Sequence, residues 1–337
     1  MVKVDLITGF LGSGKTTFIR KYAKYLMDEG NNIGILENDY GAVNVDMMLL
    51  QDLMGDNCEL EMISGGCDKD CHRRRFKTKL IAMGMCGYDR VIVEPSGIFD
   101  VDEFFDILHE EPLNRWYEIG NVIAIVDSKL ERDLSEEADF ILASEVADAG
   151  CIVMSKSQDA SPEEIWGTVE HVNQALEKVH CSRRVHCEMK GVDTVNIIHK
   201  NWEEMSKEDF AGIASCGYEM STYRKPELEA DEAFTSLYYM NVKTTEKELR
   251  EAAEKILSDS ECGHVFRMKG FMRVDDGDGI SGKSVQTEKN GKKWIELNAT
   301  KNEIAIRPLH VGQEVLIVIG EELREEKIKS YLKIPEI

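Results

Sequence analysis

The chain has 337 residues, 42% of them hydrophobic, enough to bury a full core and to build two domains of ordinary size. Its 41 Lys and Arg against 63 Asp and Glu leave a formal charge of -22. A surface that negative repels phosphate backbones and anionic lipid, so no nucleic acid and no membrane is expected as a partner, and the charge reads as a solubility feature. No apolar stretch is long enough to cross a bilayer, and no secretory leader precedes the first strand. A cytoplasmic protein with its nine cysteines reduced is therefore expected.

Residues 1–155 alternate short apolar runs with amphipathic ones, the pattern of an α/β fold with a mainly parallel sheet and crossover helices. The predicted strands are Val2–Thr8, Asn32–Glu37, Arg90–Glu94, Asn121–Asp127 and Cys151–Ser155, with a further one near Val185. Helices are predicted over Thr16–Asp28, from about Arg73 to Met85, from about Leu134 to Ala147 and from about Pro162 to Val179. Residues 217–233 are polar and irregular and read as a linker between a domain at 1–216 and one at 234–337. Beyond it the pattern changes to strand Phe234–Val242, helix Thr245–Leu257, strands Val265–Val274, Lys293–Asn298 and Val315–Ile319, and helix Leu323–Leu332. That order predicts a small α+β domain, with a Gly/Asp-rich hairpin loop at Asp275–Gly282.

Gly9-Phe10-Leu11-Gly12-Ser13-Gly14-Lys15-Thr16 fits G-x-x-x-x-G-K-[ST] at every fixed position and lies between a predicted strand and a predicted helix. Gly9, Gly12, Ser13 and Gly14 would turn backbone N–H groups around phosphates at the positive end of the helix. Lys15 would reach the β- and γ-phosphates, and the Thr16 hydroxyl would coordinate Mg²⁺. A strand next to the P-loop strand ends in Glu94-Pro95-Ser96-Gly97. Glu94 can hold a magnesium-bound water there, and the Gly97 N–H can meet the γ-phosphate. Lys15, Thr16 and Glu94 are thus the expected catalytic set of a P-loop nucleoside-triphosphatase.

These residues, with Glu37-Asn38-Asp39-Tyr40-Gly41 and Asp46, resemble the CobW/HypB/UreG family, in its CobW-type branch. That family writes its P-loop as G-F-L-G-[SA]-G-K-T-T, followed by E-N-[ED]-[FY]-G after strand two and by E-x-[ST]-G. Phe266-Arg267-Met268-Lys269-Gly270-Phe271 resembles its R-x-K-G strand, and Val315-Leu316-Ile317-Val318-Ile319-Gly320 resembles the penultimate strand of its C-terminal domain. The resemblance implies a GTPase that binds GTP and Mg²⁺, with Thr17 also at the nucleotide. It implies loading or delivery of a transition metal, zinc or cobalt, to a client metalloprotein.

Two segments depart from the family pattern. The guanine-reading [NT]-K-x-D motif is replaced by Ser155-Lys156-Ser157-Gln158-Asp159. Lys156 can still pack its stem on the base, but the Gln158 amide presents one acceptor oxygen where a carboxylate accepts two bonds from guanine. A hydrogen bond to a charged group is worth about 1.5–3 kcal/mol. Asp159 substitutes if the loop shifts by one residue; an ATPase is the alternative. The metal loop, G-C-x-C-C in the family, reads Gly66-Cys67-Asp68-Lys69-Asp70-Cys71-His72. Cys67 and Cys71 with His72 are plausible soft-metal ligands, in a loop that nucleotide state would open and close as residues 38–72 are reshaped. The alternative from another class is a nucleotide-dependent regulator or assembly factor that handles no metal. Cys58 can add a thiol to that stretch. The pair His180-Cys181 and His186-Cys187 reads as packing and surface residues, and Arg73-Arg74-Arg75 as a solvated helical turn.

Overall fold

The computed structural model describes residues 1–39, 45–64, 69–95, 101–186, 194–224, 234–275, 292–309 and 314–334. The chain divides into two compact units, Met1–Ala230 and Asp231–Ile337. The first runs β1 (Val2–Thr8), α1 (Lys15–Asp28), β2 (Ile33–Asp39), α2 (Val45–Leu50), β3 (Cys58–Ser64), α3 (Lys69–Met83), β4 (Arg90–Pro95), α4 (Val101–His109) and α5 (Leu113–Trp116). It continues through β5 (Tyr117–Asp127), α6 (Glu136–Ala147), β6 (Cys151–Ser155), α7 (Pro162–Lys178), β7 (Arg184–His186), β8 (Thr194–Ile198) and α8 (Lys207–Ile213). Its strands form one sheet in the order β3-β2-β4-β1-β5-β6-β8-β7, and every neighbouring pair is parallel.

A parallel sheet is covered by helices on both faces, so its strands read as unbroken apolar runs. β4 is accordingly buried along its whole length, and β1 along its last five residues. Helix starts follow cap chemistry. Ser161 and Glu164 close a capping box with Pro162 in the first turn of α7, and the Ser135 hydroxyl accepts from the Ala138 amide at the head of α6. Among the described residues no helix is long and apolar enough to cross a membrane.

The sheet's centre holds a charge. Asp5 of β1 is fully buried; it accepts from Arg90 Nη1 of β4 at 2.5 Å and Tyr22 Oη of α1 at 2.7 Å on one oxygen, and from Asn121 Nδ2 of β5 at 2.8 Å on the other. One carboxylate thereby joins β1 to both neighbouring strands and to the helix that follows the P-loop.

The second unit contains β9 (Phe234–Tyr239), α9 (Glu246–Ser258), β10 (His264–Asp275), β11 (Lys292–Thr300), β12 (Glu303–Leu309), β13 (Val315–Glu321) and α10 (Glu325–Leu332). Its sheet is antiparallel throughout, in the order β12-β11-β10-β13-β9. Leu249, Ala253 and Ile256 of α9 and Ile328 of α10 pack on Met268, Leu297 and Val318 of the sheet. Thr245 and Glu248 close the capping box at the start of α9. Gly270 lies where β10 meets β13 so closely that a Cβ would stand 2.1 Å from the Val315 carbonyl oxygen. Only glycine permits that approach.

The structure adds strands that the sequence reading left out, notably β3 and the edge strand β12. β3 buries Cys58, whose thiol burial pushes up to about 11, so the expectation that Cys58 supplies a further ligand is corrected: it is a core residue. β12 carries Pro308, a residue that strands accept at sheet edges. Residues 276–282 of the predicted hairpin loop and 225–233 of the predicted linker lie outside the described residues.

Removing one partner of a buried ion pair strands the other charge, at about 3–5 kcal/mol. Arg90→Met is expected to lose stability on that scale in urea unfolding, and Asp5→Asn with Arg90→Met to recover part of it. A cost for Arg90→Met below about 1 kcal/mol would show that the pair does not hold the sheet together.

Candidate functional site

The P-loop leaves the buried end of β1 and turns into α1. Gly9 has φ +144°, and a Cβ there would stand 2.4 Å from the Ile125 carbonyl oxygen of β5, so no other residue fits. Gly14, at φ +99° and ψ 21°, is the left-handed cap of α1, a conformation that glycine adopts without strain. Between them the Ser13 amide donates to the Phe10 carbonyl at 3.1 Å, closing the turn. Lys15 is buried and folds back, its Nζ donating to the Gly9 carbonyl at 2.6 Å. The ammonium is held at the loop it would serve, ready to exchange a carbonyl for phosphate oxygens. Thr17 follows on the exposed side of the same helical turn.

Thr16 Oγ1 donates to Glu94 Oε1 at 2.9 Å, and both residues are buried. The strand order accounts for this contact: β4 lies directly beside β1, so its tip reaches the first turn of α1. Glu37 of β2 is the in-register partner of Glu94 and is 2% exposed. In-register residues of parallel neighbours share a face about 4.8 Å apart, so Glu37 stands next to Glu94 under the P-loop. A hydroxyl and two carboxylates are hard oxygen donors of the kind Mg²⁺ takes. The sequence reading quoted Glu37 as part of a motif without giving it a role; only the strand order places it at the site. Gly97 lies outside the described residues.

The base-reading loop follows β6. Ser155 is buried, with its Cβ 3.6 Å from where a Cβ on Gly14 would be, so the loop starts beside the P-loop. Lys156 adopts φ 54° and donates from Nζ to Asp127 Oδ2 at 2.7 Å, which fixes its stem. Gln158 and Asp159 are both exposed, and Gln158 Nε2 donates to Asp159 Oδ2 at 2.8 Å. The two candidate base acceptors are therefore brought together in one short 3-10 turn. Trp202 closes the far side: its Nε1 donates to the Met154 carbonyl at 2.9 Å and its ring lies against Gly14. No motif signalled Trp202.

Cys71 and His72 fall in the first turn of α3, where consecutive side chains diverge by about 100°. Cys71 lies on the stripe of Arg74, Arg75 and Thr78, facing a cavity, whereas His72 is 2% exposed on the stripe of Phe76 and Leu80. One ion cannot take both as neighbouring ligands, which separates His72 from Cys71 in the expected trio. Cys67 lies outside the described residues. Among the described residues no group of three or more His, Cys, Asp or Glu side chains converges to hold a metal ion, and no disulfide forms.

Glu145 of α6 is a carboxylate that no motif announced. It lies under the P-loop, where its backbone carbonyl accepts from Thr8 Oγ1 at 2.8 Å, and it is 2% exposed. Burial pushes its carboxyl well above the usual carboxylate range, against the pull of the Lys15 ammonium and the Gly9 amide. A carboxyl biased toward its neutral form competes less with phosphate for the Lys15 ammonium. An ionised Glu145 would compete for that ammonium.

The CobW/HypB/UreG nucleotide-binding domain matches residues 3–186. The zinc chaperone YeiR of Escherichia coli (strain K12) is 30% identical over 164 residues, 48% of this chain and 49% of its own. The zinc chaperone YjiA of the same organism is 27% identical over 198 residues, 55% of this chain and 57% of its own. Zinc-regulated GTPase metalloprotein activator 1 of Schizosaccharomyces pombe (strain 972 / ATCC 24843) is 23% identical over 193 residues, 55% of this chain and 45% of its own. The chain thus spans about half the length of these relatives.

The raised affinity of Glu145 for its proton has a thermodynamic consequence. Between its unfolded value, about 4.3, and its folded one, the native state binds more protons than the unfolded state, so stability falls as pH rises through that window. Glu145→Gln, neutral at every pH, is expected to raise the melting temperature more at about pH 8 than at about pH 5. Equal shifts at both, or a loss at the higher pH, would show that Glu145 is ionised in the fold.

Proposed function

This chain belongs to the CobW/HypB/UreG family, and from that membership we propose that it is a cytoplasmic GTPase that handles zinc and loads it into a client metalloprotein. The observation that carries the nucleotide half of this reading is the buried Thr16–Glu94 bond, which ties the head of the P-loop helix to the tip of the adjacent strand. A nucleotide would be cradled by the amides of Gly12 to Thr17 at the positive end of α1, with Lys15 moving from the Gly9 carbonyl to the phosphates. Mg²⁺, held by Thr16 and through Glu94 and Glu37, would supply charge neutralisation at the phosphates when bound. Glu94 precedes Pro95 and the Ser96-Gly97 segment, so a change at the γ-phosphate has a covalent route into that loop.

Base recognition falls to Lys156 and the Gln158–Asp159 pair. A carboxylate accepts both guanine N–H donors, and here Asp159 keeps acceptor capacity while it receives the Gln158 amide. GTP is expected to bind better than ATP, by a smaller margin than an uninterrupted [NT]-K-x-D loop gives. Calorimetry with Gln158→Asp should widen the margin if Gln158 occupies the reading position. If Asp159→Ala erases the preference while Gln158→Asp changes nothing, Asp159 is the reader; no preference in the parent makes the protein an ATPase or an unselective one.

The metal half is supported by relatives named as zinc chaperones and by the two thiols Cys67 and Cys71. Thiolates select Zn²⁺ or Co²⁺ over Mg²⁺, which keeps this site chemically distinct from the oxygen donors at Thr16. With His72 directed away from Cys71, further ligands would come from elsewhere, the client included. Co²⁺ is expected to give a thiolate-to-metal charge-transfer band that Cys67→Ser or Cys71→Ser each weakens, and that fades as pH falls because protons compete for the thiolates. GTP and metal affinities should shift by one common factor. A full band in both single variants would overturn the metal role and favour a nucleotide-dependent regulator.

A further inference from the structure

The base-reading loop and the P-loop leave strands that are not neighbours. β5 lies between β1 and β6, so the two loops start about 10 Å apart and no ladder joins the strands that carry them. A nucleotide has to reach both at once, with its phosphates at one loop and its base at the other. The spacing between the loops is therefore as much a part of the site as the groups each loop presents.

The Trp202 side chain touches both. It opens a short 3-10 turn, Trp202–Glu204, which follows β8 and is capped by Asn201, whose Oδ1 accepts from the Glu203 amide at 3.1 Å. β8 pairs with β6 as far as Val153; at the next residue the Met154 carbonyl accepts from Trp202 Nε1 at 2.9 Å. The same indole lies on the P-loop, 3.4 Å from where a Cβ on Gly14 would be, and meets Phe18 of α1 edge-on with 5.7 Å between ring centroids. Ser155 closes on Gly14 beside it. The Ser155 hydroxyl is buried and makes no hydrogen bond among the described residues, so that residue adds contact without a polar tie. The segment that carries the indole is anchored on α1 independently of it. Lys21 Nζ binds Glu203 at 2.8 Å, Lys207 Nζ binds Glu29 at 3.2 Å, and Tyr25 stacks on Phe210 of α8 at 5.5 Å.

We propose that Trp202 is a positioning residue of the nucleotide site: it holds the P-loop and the base-reading loop at the spacing of one nucleoside triphosphate, and so selects whole nucleotides over polyphosphate. The inference rests on the nucleotide half of the proposed function and goes beyond it. A ligand that engages two subsites gains over either half alone only when the subsites are held at its own length. With the spacing free, each subsite keeps its own contacts and the joint gain is lost. The indole N–H fixes the ring to the end of β6, and the ring fixes Gly14 and the head of α1 to that point. Phenylalanine at 202 would keep a ring against Gly14 and Phe18 and drop the N–H bond, whereas alanine would drop both. If Trp202 served only to pack α1, its loss would loosen the P-loop itself and weaken every phosphate ligand alike.

The test is competition against a fluorescent GTP analogue on the full chain with Mg²⁺ present, comparing GTP, ATP and inorganic tripolyphosphate. In Trp202→Ala, GTP is expected to weaken about tenfold or more, tripolyphosphate to change by less than about twofold, and the margin of GTP over ATP to narrow. Trp202→Phe is expected to lose about threefold on GTP, the scale of one neutral hydrogen bond, with tripolyphosphate again unmoved. Asn201→Ala, which loosens the turn without touching the indole, should follow the same pattern more weakly. If the alanine variant does not melt cooperatively, the phenylalanine variant decides alone. The proposal is overturned if the Trp202 variants bind GTP as the parent does, or if tripolyphosphate weakens as much as GTP, which marks damage to the P-loop itself. A parent that binds neither GTP nor ATP overturns the nucleotide reading and this inference together. A parent that prefers ATP overturns guanine selection alone, and the expected losses then appear with ATP.

Discussion

At Gly9 the chain leaves β1 through a gap that only a glycine can pass. The carbonyl of Ile125 stands 2.4 Å from where a Cβ would be, so the P-loop is pressed directly onto the end of β5. Everything above it inherits that position: Lys15 lies back on the Gly9 carbonyl, Thr16 reaches Glu94, and Gly14 starts α1 beside Ser155 and Trp202. β1 is also the strand at which the sheet order changes direction, with later strands added on the β5 side. Open α/β sheets place their ligand crevice at such a point. A loop held this tightly on one side presents its amides in a fixed concave array, with the binding entropy of the loop already spent in folding.

Two buried carboxylates on either side of β1's length serve opposite ends. Asp5, low on the strand, has four hydrogen-bonding contacts' worth of capacity and meets Arg90, Tyr22 and Asn121, so its charge is matched where it lies. Glu145, under the loop, is buried with the Lys15 ammonium and the Gly9 amide acting on its carboxyl, and burial outweighs both and raises its affinity for a proton. The first arrangement locks strands and helix together. The second sets a buried carboxyl, biased toward its neutral form, beside the loop that carries Lys15.

Much of this was readable from the residues themselves. The P-loop match, the Val2–Thr8 strand ahead of it and the Ser, Thr and Glu caps of α7 and α9 are local chemistry, and each element forms where its own residues place it. β3 was hidden because Cys-Glu-Leu-Glu-Met-Ile-Ser mixes acidic and apolar residues at an edge, where one strand side is only partly covered. The roles of Glu37, Glu145 and Trp202 depend on which elements end up side by side, and no spacing along the chain encodes that. His72 shows the converse. Adjacent to Cys71 in sequence, it looked like a co-ligand, yet helical geometry sends it into the core with Phe76 and Leu80.

The sheet register supplies a physical relation between the two chemistries. Glu94 of β4 pairs with Glu37 of β2, and Glu37 pairs with Met62 of β3, so one row crosses from the tip of β4 beside the P-loop to β3 at the sheet's edge. Two strand spacings amount to about 10 Å, a distance that packed backbone spans without any intervening loop. Under the proposed function Glu94 and Glu37 would offer oxygen to a hard cation at one end of the row and Cys71 would offer sulfur near the other, so neither site would compete for the other's ion. What the row can transmit is limited by thermodynamics: a nucleotide would shift β3 only to the extent that it binds one arrangement of these strands better than another. The row is continuous and short, but β4 pairs with β1 as well as with β2, so a displacement at Glu94 is shared between the two sides of that strand, and any part of it that reaches β3 is matched by an equal coupling free energy in the reverse direction.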